Sequence, residues 1–178
     1  MGGIRPEVTE SLSKPWSTLR NCANMRQSIT MMTMDQELYH LGVKALIKNT
    51  EGSILLLQVN PEKLSGNQPA YWDLPGGRVE KDQTIAATLQ REIQEETGVT
   101  DISGISEVGM VLSNIRIPVS DDLRVGLILA VYSCTVPDDA IICISDEHMA
   151  FQWYQPLDAA KLLQHKYPSN FCDVIAAV

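Results

Sequence analysis

The stretch from Gly76 to Val99, reading GGRVEKDQTIAATLQREIQEETGV, constrains this chain more than any other. It opens on a Gly-Gly turn after Pro75, becomes a helix at about Thr84, and should end at Gly98 in a C-terminal glycine cap. At about 100° per residue, Ile85, Leu89 and Ile93 form the apolar stripe of that helix, and Glu92, Glu95 and Glu96 fall within or beside it. Glu96 projects between Ile85 and Leu89. A helix that needed only solubility would carry its acids on the far side. Here the acids continue the inward stripe beyond its hydrophobic part. The arrangement is electrostatically poor, because like charges three and four residues apart repel by roughly 0.2–0.5 kcal/mol and carboxylates sit badly at the negative end of a helix dipole. Arg91 offsets part of that charge. A hard divalent cation would offset the rest, since Mg²⁺ or Mn²⁺ takes oxygen ligands and keeps positions open for water and phosphate oxygens.

The whole chain carries a formal charge of −8, which argues against broad attraction to nucleic acid or to an anionic membrane surface. An acidic protein still binds polyphosphates where a metal inverts the local sign. Its 178 residues, 44% hydrophobic and 20% charged, are enough for one globular domain with a tail. The four cysteines, Cys22, Cys134, Cys143 and Cys172, show neither CxxC spacing nor a histidine at zinc-site distance, so reduced thiols in the cytoplasm are expected. No apolar run approaches the roughly 20 residues that span a bilayer.

Residues 1–34 stand apart. They hold Arg5, Lys14, Arg20 and Arg26 against Glu7 and Glu10, a charge of +2 where the remainder carries −10, and they lack a sustained apolar period. They are expected to form a poorly structured N-terminal extension to a domain over 35–178. From there Leu41, Val43, Ala45 and Ile47 alternate with Gly42, Lys44 and Lys48, as in a strand with one buried face. Asn49 to Gly52 is a turn, and Ile54 to Val59 an apolar return strand. The polar segment Asn60 to Ala70 is either a wall of a substrate pocket or a solvent loop. After the helix, Val108–Ile117 and Leu123–Thr135 read as two long strands, the second apolar on both faces and therefore central. Arg116 and Arg124 flank the turn between them, where an arginine is either a phosphate contact or a solvated or salt-bridged strand-end residue. A strand over Phe151–Tyr154, a helix from Pro156 through Leu163 and another from about Asn170 to Val178 complete the chain.

Gly77, five residues, Gln83, seven more, Arg91-Glu92-Ile93, one residue, Glu95-Glu96, one residue, Gly98-Val99: this pattern resembles the signature of the Nudix hydrolases, the MutT-like nucleoside diphosphate-X hydrolases. The lead-in Trp72-Asp73-Leu74-Pro75-Gly76-Gly77 is similar to that family as well. One position departs, because Gln83 stands where the family's first glutamate is expected. The resemblance implies an α/β fold, a Nudix-type α/β/α sandwich with a mixed, twisted sheet. It implies Mg²⁺ or Mn²⁺ held by Glu92, Glu95, Glu96 and the carbonyl of Gly76, and it places Glu147 where the family has a further ligand from outside the helix, the alternative being a surface acid. It implies that Arg91 orients a glutamate and that the general base is Glu92, Glu95 or Glu147. His148 by itself is a poor ligand candidate, since oxygen donors already suit the ion.

The implied reaction splits the diphosphate linkage of a nucleoside diphosphate-X substrate. Lacking the extra signatures of the dinucleotide, coenzyme A and ADP-ribose subfamilies, the chain points towards a nucleoside triphosphate or modified nucleotide. Two alternatives stay open: a catalytically weak, regulatory nucleotide-binding domain, motivated by Gln83, and an ADP-ribose or dinucleotide pyrophosphatase. A two-fold homodimer is the base-rate expectation for assembly.

Overall fold

The computed structural model describes residues 37–63, 69–120 and 122–178. The expected N-terminal extension lies outside them. The compact unit described here runs from Leu38 to Val178. Its strands are β1 (Tyr39–Lys48), β2 (Ile54–Val59), β3 (Trp72–Asp73), β4 (Ser103–Leu112), β5 (Ile117–Pro118), β6 (Arg124–Thr135) and β7 (His148–Tyr154). Its helices are α1 (Ile85–Thr97), α2 (Pro156–Leu163) and α3 (Ser169–Ala176).

The sheet is mixed. Its order is β3-β2-β1-β6-β4, with β7 on β2 and β5 on β6. β1 runs parallel to β6 over ten paired positions, from Tyr39 opposite Gly126 to Lys48 opposite Thr135, and both strands bury apolar side chains on two faces. That is the pattern of a strand pair covered on both sides. On one face Val43, Ala45, Ile47, Leu55 and Leu57 pack with Leu89 and Ile93 of α1. On the other Leu46, Leu56, Leu129 and Val131 pack with Ala159, Ala160 and Leu163 of α2 and with Phe171, Cys172 and Ile175 of α3. The result is an α/β/α sandwich, as the two helix-covered faces require.

Two elements differ from the sequence expectation. Lys44, read as the exposed side of a one-faced strand, is only 6% exposed, because the second layer of helices buries that face as well. The strand expected over Val108–Ile117 begins earlier and ends sooner, at Ser103 and Leu112. Its start is held by hydroxyl pairs across to β6, Ser103 with Thr135 at 2.9 Å and Ser106 with Ser133 at 2.8 Å, which hydropathy does not register. Its end is set by Asn114, whose backbone N–H donates to Lys166 O at 2.9 Å and whose side-chain amide donates to Gln164 O and Tyr167 O. Asn114 therefore fastens the loop between α2 and α3 instead of continuing the ladder.

Candidate active site

The helix that carries the acids is fixed at both ends. The Thr84 hydroxyl accepts the Ala87 N–H at 3.2 Å, and Gly98, in the left-handed conformation, donates its own N–H to Gln94 O. With Leu89 and Ile93 seated on the sheet, the next turn of the same stripe carries Glu92 and Glu96 inward, 9% and 8% exposed. Glu95 stands beside them with its side chain 57% exposed.

Facing this turn is the glycine loop, strapped to β1 by Ala45 N–H to Pro75 O (2.8 Å) and Val43 N–H to Gly77 O (2.9 Å). Gly76 has φ +127°, and a Cβ there would lie 2.2 Å from Val43 O; a Cβ on Gly77 would lie 2.4 Å from Glu92 Oε1. Both glycines are thus required by close approach, one to the sheet and one to a carboxylate. The Gly76 N–H donates to Glu96 Oε2 at 2.6 Å. The Gly76 carbonyl faces a cation of the protein's own, accepting from Lys44 Nζ, which also donates to Leu74 O at 2.9 Å and pairs with Asp73 Oδ2 at 2.8 Å.

Arg91 bridges two of the acids, reaching Glu92 Oε1 and Glu95 Oε2 at 2.7 Å each. Its buried Nε finds no partner among the described residues. Gln83 does not reach it: its side chain accepts from the Thr88 hydroxyl at 3.1 Å and turns towards Glu80. Arg91, Glu92 and Glu95 line one side of a cleft of about 650 Å³ that Glu147 also lines, together with Tyr39, His40, Arg78 and Lys81. The described part of the 60–70 segment does not line this cleft and is tied to the loop that carries Glu147, since Asn60 N–H donates to Glu147 O and Lys63 pairs with Asp146. Neither Arg116 nor Arg124 lines the cleft.

The donor set suits a hard divalent cation, being the carboxylate oxygens of Glu92, Glu95 and Glu147 around one cleft, with buried Glu96 one helical turn from Glu92. Among the described residues, no three His, Cys, Asp or Glu side chains converge closely enough to hold an ion as they stand. A model of the NUDIX domain matches residues 38–172. The chain belongs to the Nudix family. It is 31% identical over 119 residues to the CTP pyrophosphohydrolase of Escherichia coli (strain K12), covering 67% of this chain and 78% of that protein. It is 33% identical over 118 residues to the nucleoside triphosphatase NudI of Salmonella typhimurium, covering 65% and 81%. Among solved structures, a MutT protein from Methanosarcina mazei Go1 superposes with a TM-score of 0.60 at 29% identity, covering 80% of this chain and 94% of that one. The protein is therefore a Nudix hydrolase.

Around this Nudix helix the electrostatics divide sharply. Burial pushes the Glu96 carboxyl up to about 7, against the opposing charge of Lys44 and the Gly76 N–H. Burial also raises Glu92, with Arg91 resisting. Burial lowers the His148 imidazole to about 4, and the neighbouring Lys44 charge lowers it further, so it is neutral although its Nε2 lies 3.8 Å from Glu96 Oε1. Sequence reasoning missed Lys44, Asp73, Lys166 and Tyr167, which form one buried polar cluster beneath the glycine loop. The available signal was a lysine in the middle of the apolar run Val43–Ile47, a position that requires a partner.

Proposed function

We propose that this protein is a divalent-cation-dependent pyrophosphohydrolase that cleaves the diphosphate linkage of a nucleoside triphosphate or modified nucleotide. The observation that carries the reading is the turning of Glu92 and Glu96 inward, out of water, with Glu92 at the wall of a cleft that also presents Glu95, Glu147, Arg78 and Lys81. A buried carboxylate with one donor is costly unless a cation completes it. The relatives named for CTP and nucleoside triphosphates support this choice of substrate class.

Glu92, Glu95 and Glu96, with Glu147 from the facing loop, would hold Mg²⁺ or Mn²⁺, and the Gly76 carbonyl would join them only on release from Lys44. Once bound, the ion supplies neutralisation of the diphosphate and a more acidic water. Arg91 keeps Glu92 and Glu95 oriented through two charge-assisted hydrogen bonds. Arg78 and Lys81, exposed cations on the cleft, meet the outer phosphates. The general base is one of Glu92, Glu95 and Glu147, and Glu147 and Glu95, both exposed to the cleft, have free access to a water there. The catalytic unit is the 35–178 segment, and we place the protein in the cytoplasm. No helix among the described residues is long and apolar enough to cross a membrane.

Phosphate or pyrophosphate release over a panel of nucleoside triphosphates, ADP-ribose and dinucleotides, with Mg²⁺ or Mn²⁺, tests the reading. Turnover highest on a triphosphate is the expected result; activity confined to ADP-ribose or a dinucleotide would replace the substrate class. One observation favours a second reading, a weakly catalytic nucleotide-binding regulator: Gln83 bonds to Thr88 and Glu80, and Arg91 Nε has no partner among the described residues. That protein would release no phosphate from any of these nucleotides while calorimetry showed one of them bound tightly.

A further inference from the structure

The oxygens expected to meet a divalent ion already meet donors of the chain itself. Arg91 occupies Glu92 Oε1 and Glu95 Oε2, the Gly76 N–H occupies Glu96 Oε2, and Lys44 Nζ occupies the Gly76 carbonyl. These donors differ in how readily they yield. Arg91 is a partly exposed side chain on a helix surface and holds one oxygen of each of two glutamates. Lys44 is enclosed in the middle of β1, between two residues whose N–H groups tie the glycine loop to the strand, and its ammonium is anchored by Leu74 O and Asp73 Oδ2.

Asp73 in turn is held by Lys166, the Tyr167 hydroxyl (2.9 Å) and the Leu74 N–H (2.8 Å). A fixed positive charge therefore stands behind the glycine loop and acts on Glu96 more strongly than any other single charge does. Three glutamates at the end of α1 face one arginine and this lysine. Without the lysine the same oxygens would carry one more net negative charge, and Coulomb attraction for a dication would rise accordingly.

We propose that Lys44 is a built-in counter-ion of the carboxylate site, holding the Gly76 carbonyl and opposing the field of Glu92 and Glu96, so that the free protein takes up a divalent ion weakly and the nucleotide-bound protein tightly. The inference rests on the metal-site reading above and adds to it a residue outside the Nudix helix and an order of events. An enzyme arranged in this way stays folded without metal, because its crowded acids have internal partners. It also selects the ion that arrives with a polyphosphate over the ion alone.

Free Mn²⁺ measured by its electron paramagnetic resonance signal tests the proposal, titrated into the full chain alone, into the chain with a non-hydrolysable nucleoside triphosphate analogue, and into the analogue alone, whose own uptake of the ion is subtracted. The wild type should bind Mn²⁺ at least about tenfold more tightly with the analogue than without it. Lys44→Met should tighten binding to the free protein at least about tenfold and shrink the effect of the analogue, since the carbonyl is released and the field deepens. Lys44→Arg, which keeps the charge, should behave as the wild type. Lys44→Gln, which keeps a hydrogen bond to the carbonyl without the charge, provides the neutral variant should the methionine variant fail to fold. If the neutral variant binds Mn²⁺ no more tightly than the wild type, Lys44 is not a counter-ion, although the metal site stands. If the wild type binds no Mn²⁺ even with the analogue, the metal site itself falls, and the counter-ion with it.

Discussion

Asp73 and Glu96 sit on either side of the same glycine turn, comparably buried at 3% and 8% exposure, and the chain treats them in opposite ways. Asp73 receives Lys44 and Lys166 on one oxygen and the Tyr167 hydroxyl and Leu74 N–H on the other. Although burial opposes its charge, Lys166 and Lys44 hold its carboxyl well below the usual range. Glu96 receives one strong donor, the Gly76 N–H, and burial drives its carboxyl up to about 7. Burial therefore does not distinguish a structural acid from a functional one; the number of donors does. A carboxylate with four donors is finished, and its removal should damage the fold. One with a single donor is kept for something that arrives later, and its neutralisation should damage the chemistry while sparing the fold.

The sharpest way to break that contrast is Glu96→Gln. Turnover should fall about a thousandfold, roughly 4 kcal/mol of transition-state stabilisation, with an unchanged far-UV spectrum. Retention of wild-type turnover would move the site elsewhere. Asp73→Asn should show the reverse, a loss of about 3 kcal/mol in urea unfolding, because two buried ammoniums lose their shared counter-ion. A variant as stable as the wild type would mean that the cluster is already hydrated.

The same Glu96→Gln protein sharpens the comparison through pH. Glu96 has a folded pKa above its ordinary value of 4.5, so the folded state binds more protons than the unfolded one between about 4.5 and 7, and this group's contribution falls as pH rises through that window. In the absence of metal the glutamine variant should be more stable than the wild type at pH 8, by on the order of 2 kcal/mol, and the difference should fade towards pH 5. Thermal unfolding at the two pH values in a chelator reads this directly, and a difference that grows on acidification would reverse the assignment. The smallest effect is expected at Glu95, exposed and paired with Arg91 one turn away: Glu95→Gln should change stability by about 0.5 kcal/mol or less while still lowering turnover.

Much of the architecture was readable in one dimension. The limits of α1, its capping glycine, the inward direction of Glu92 and Glu96, and helices α2 and α3 all followed from local periodicity and end signals, because those depend on residues a few positions apart. Lys44 was misread for the complementary reason. Alternation along a strand reports which residues share a face, but only the packing of α2 and α3 decides whether the second face meets water. Likewise nothing near Asn114 says that a loop 50 to 53 residues further on will claim its hydrogen bonds.

The sequence by itself determined that acids would be carried inward on a glycine-flanked helix within an α/β chain, since helical pitch and the absence of a Cβ are local facts. Beyond Arg91 on the same helix, tertiary structure alone decided which cations and amides those acids would meet. Lys44, Asp73, Lys166 and His148 come from four separate segments, and the strength of a buried charge is set by the distance to its neighbours in space, which no spacing along the chain encodes.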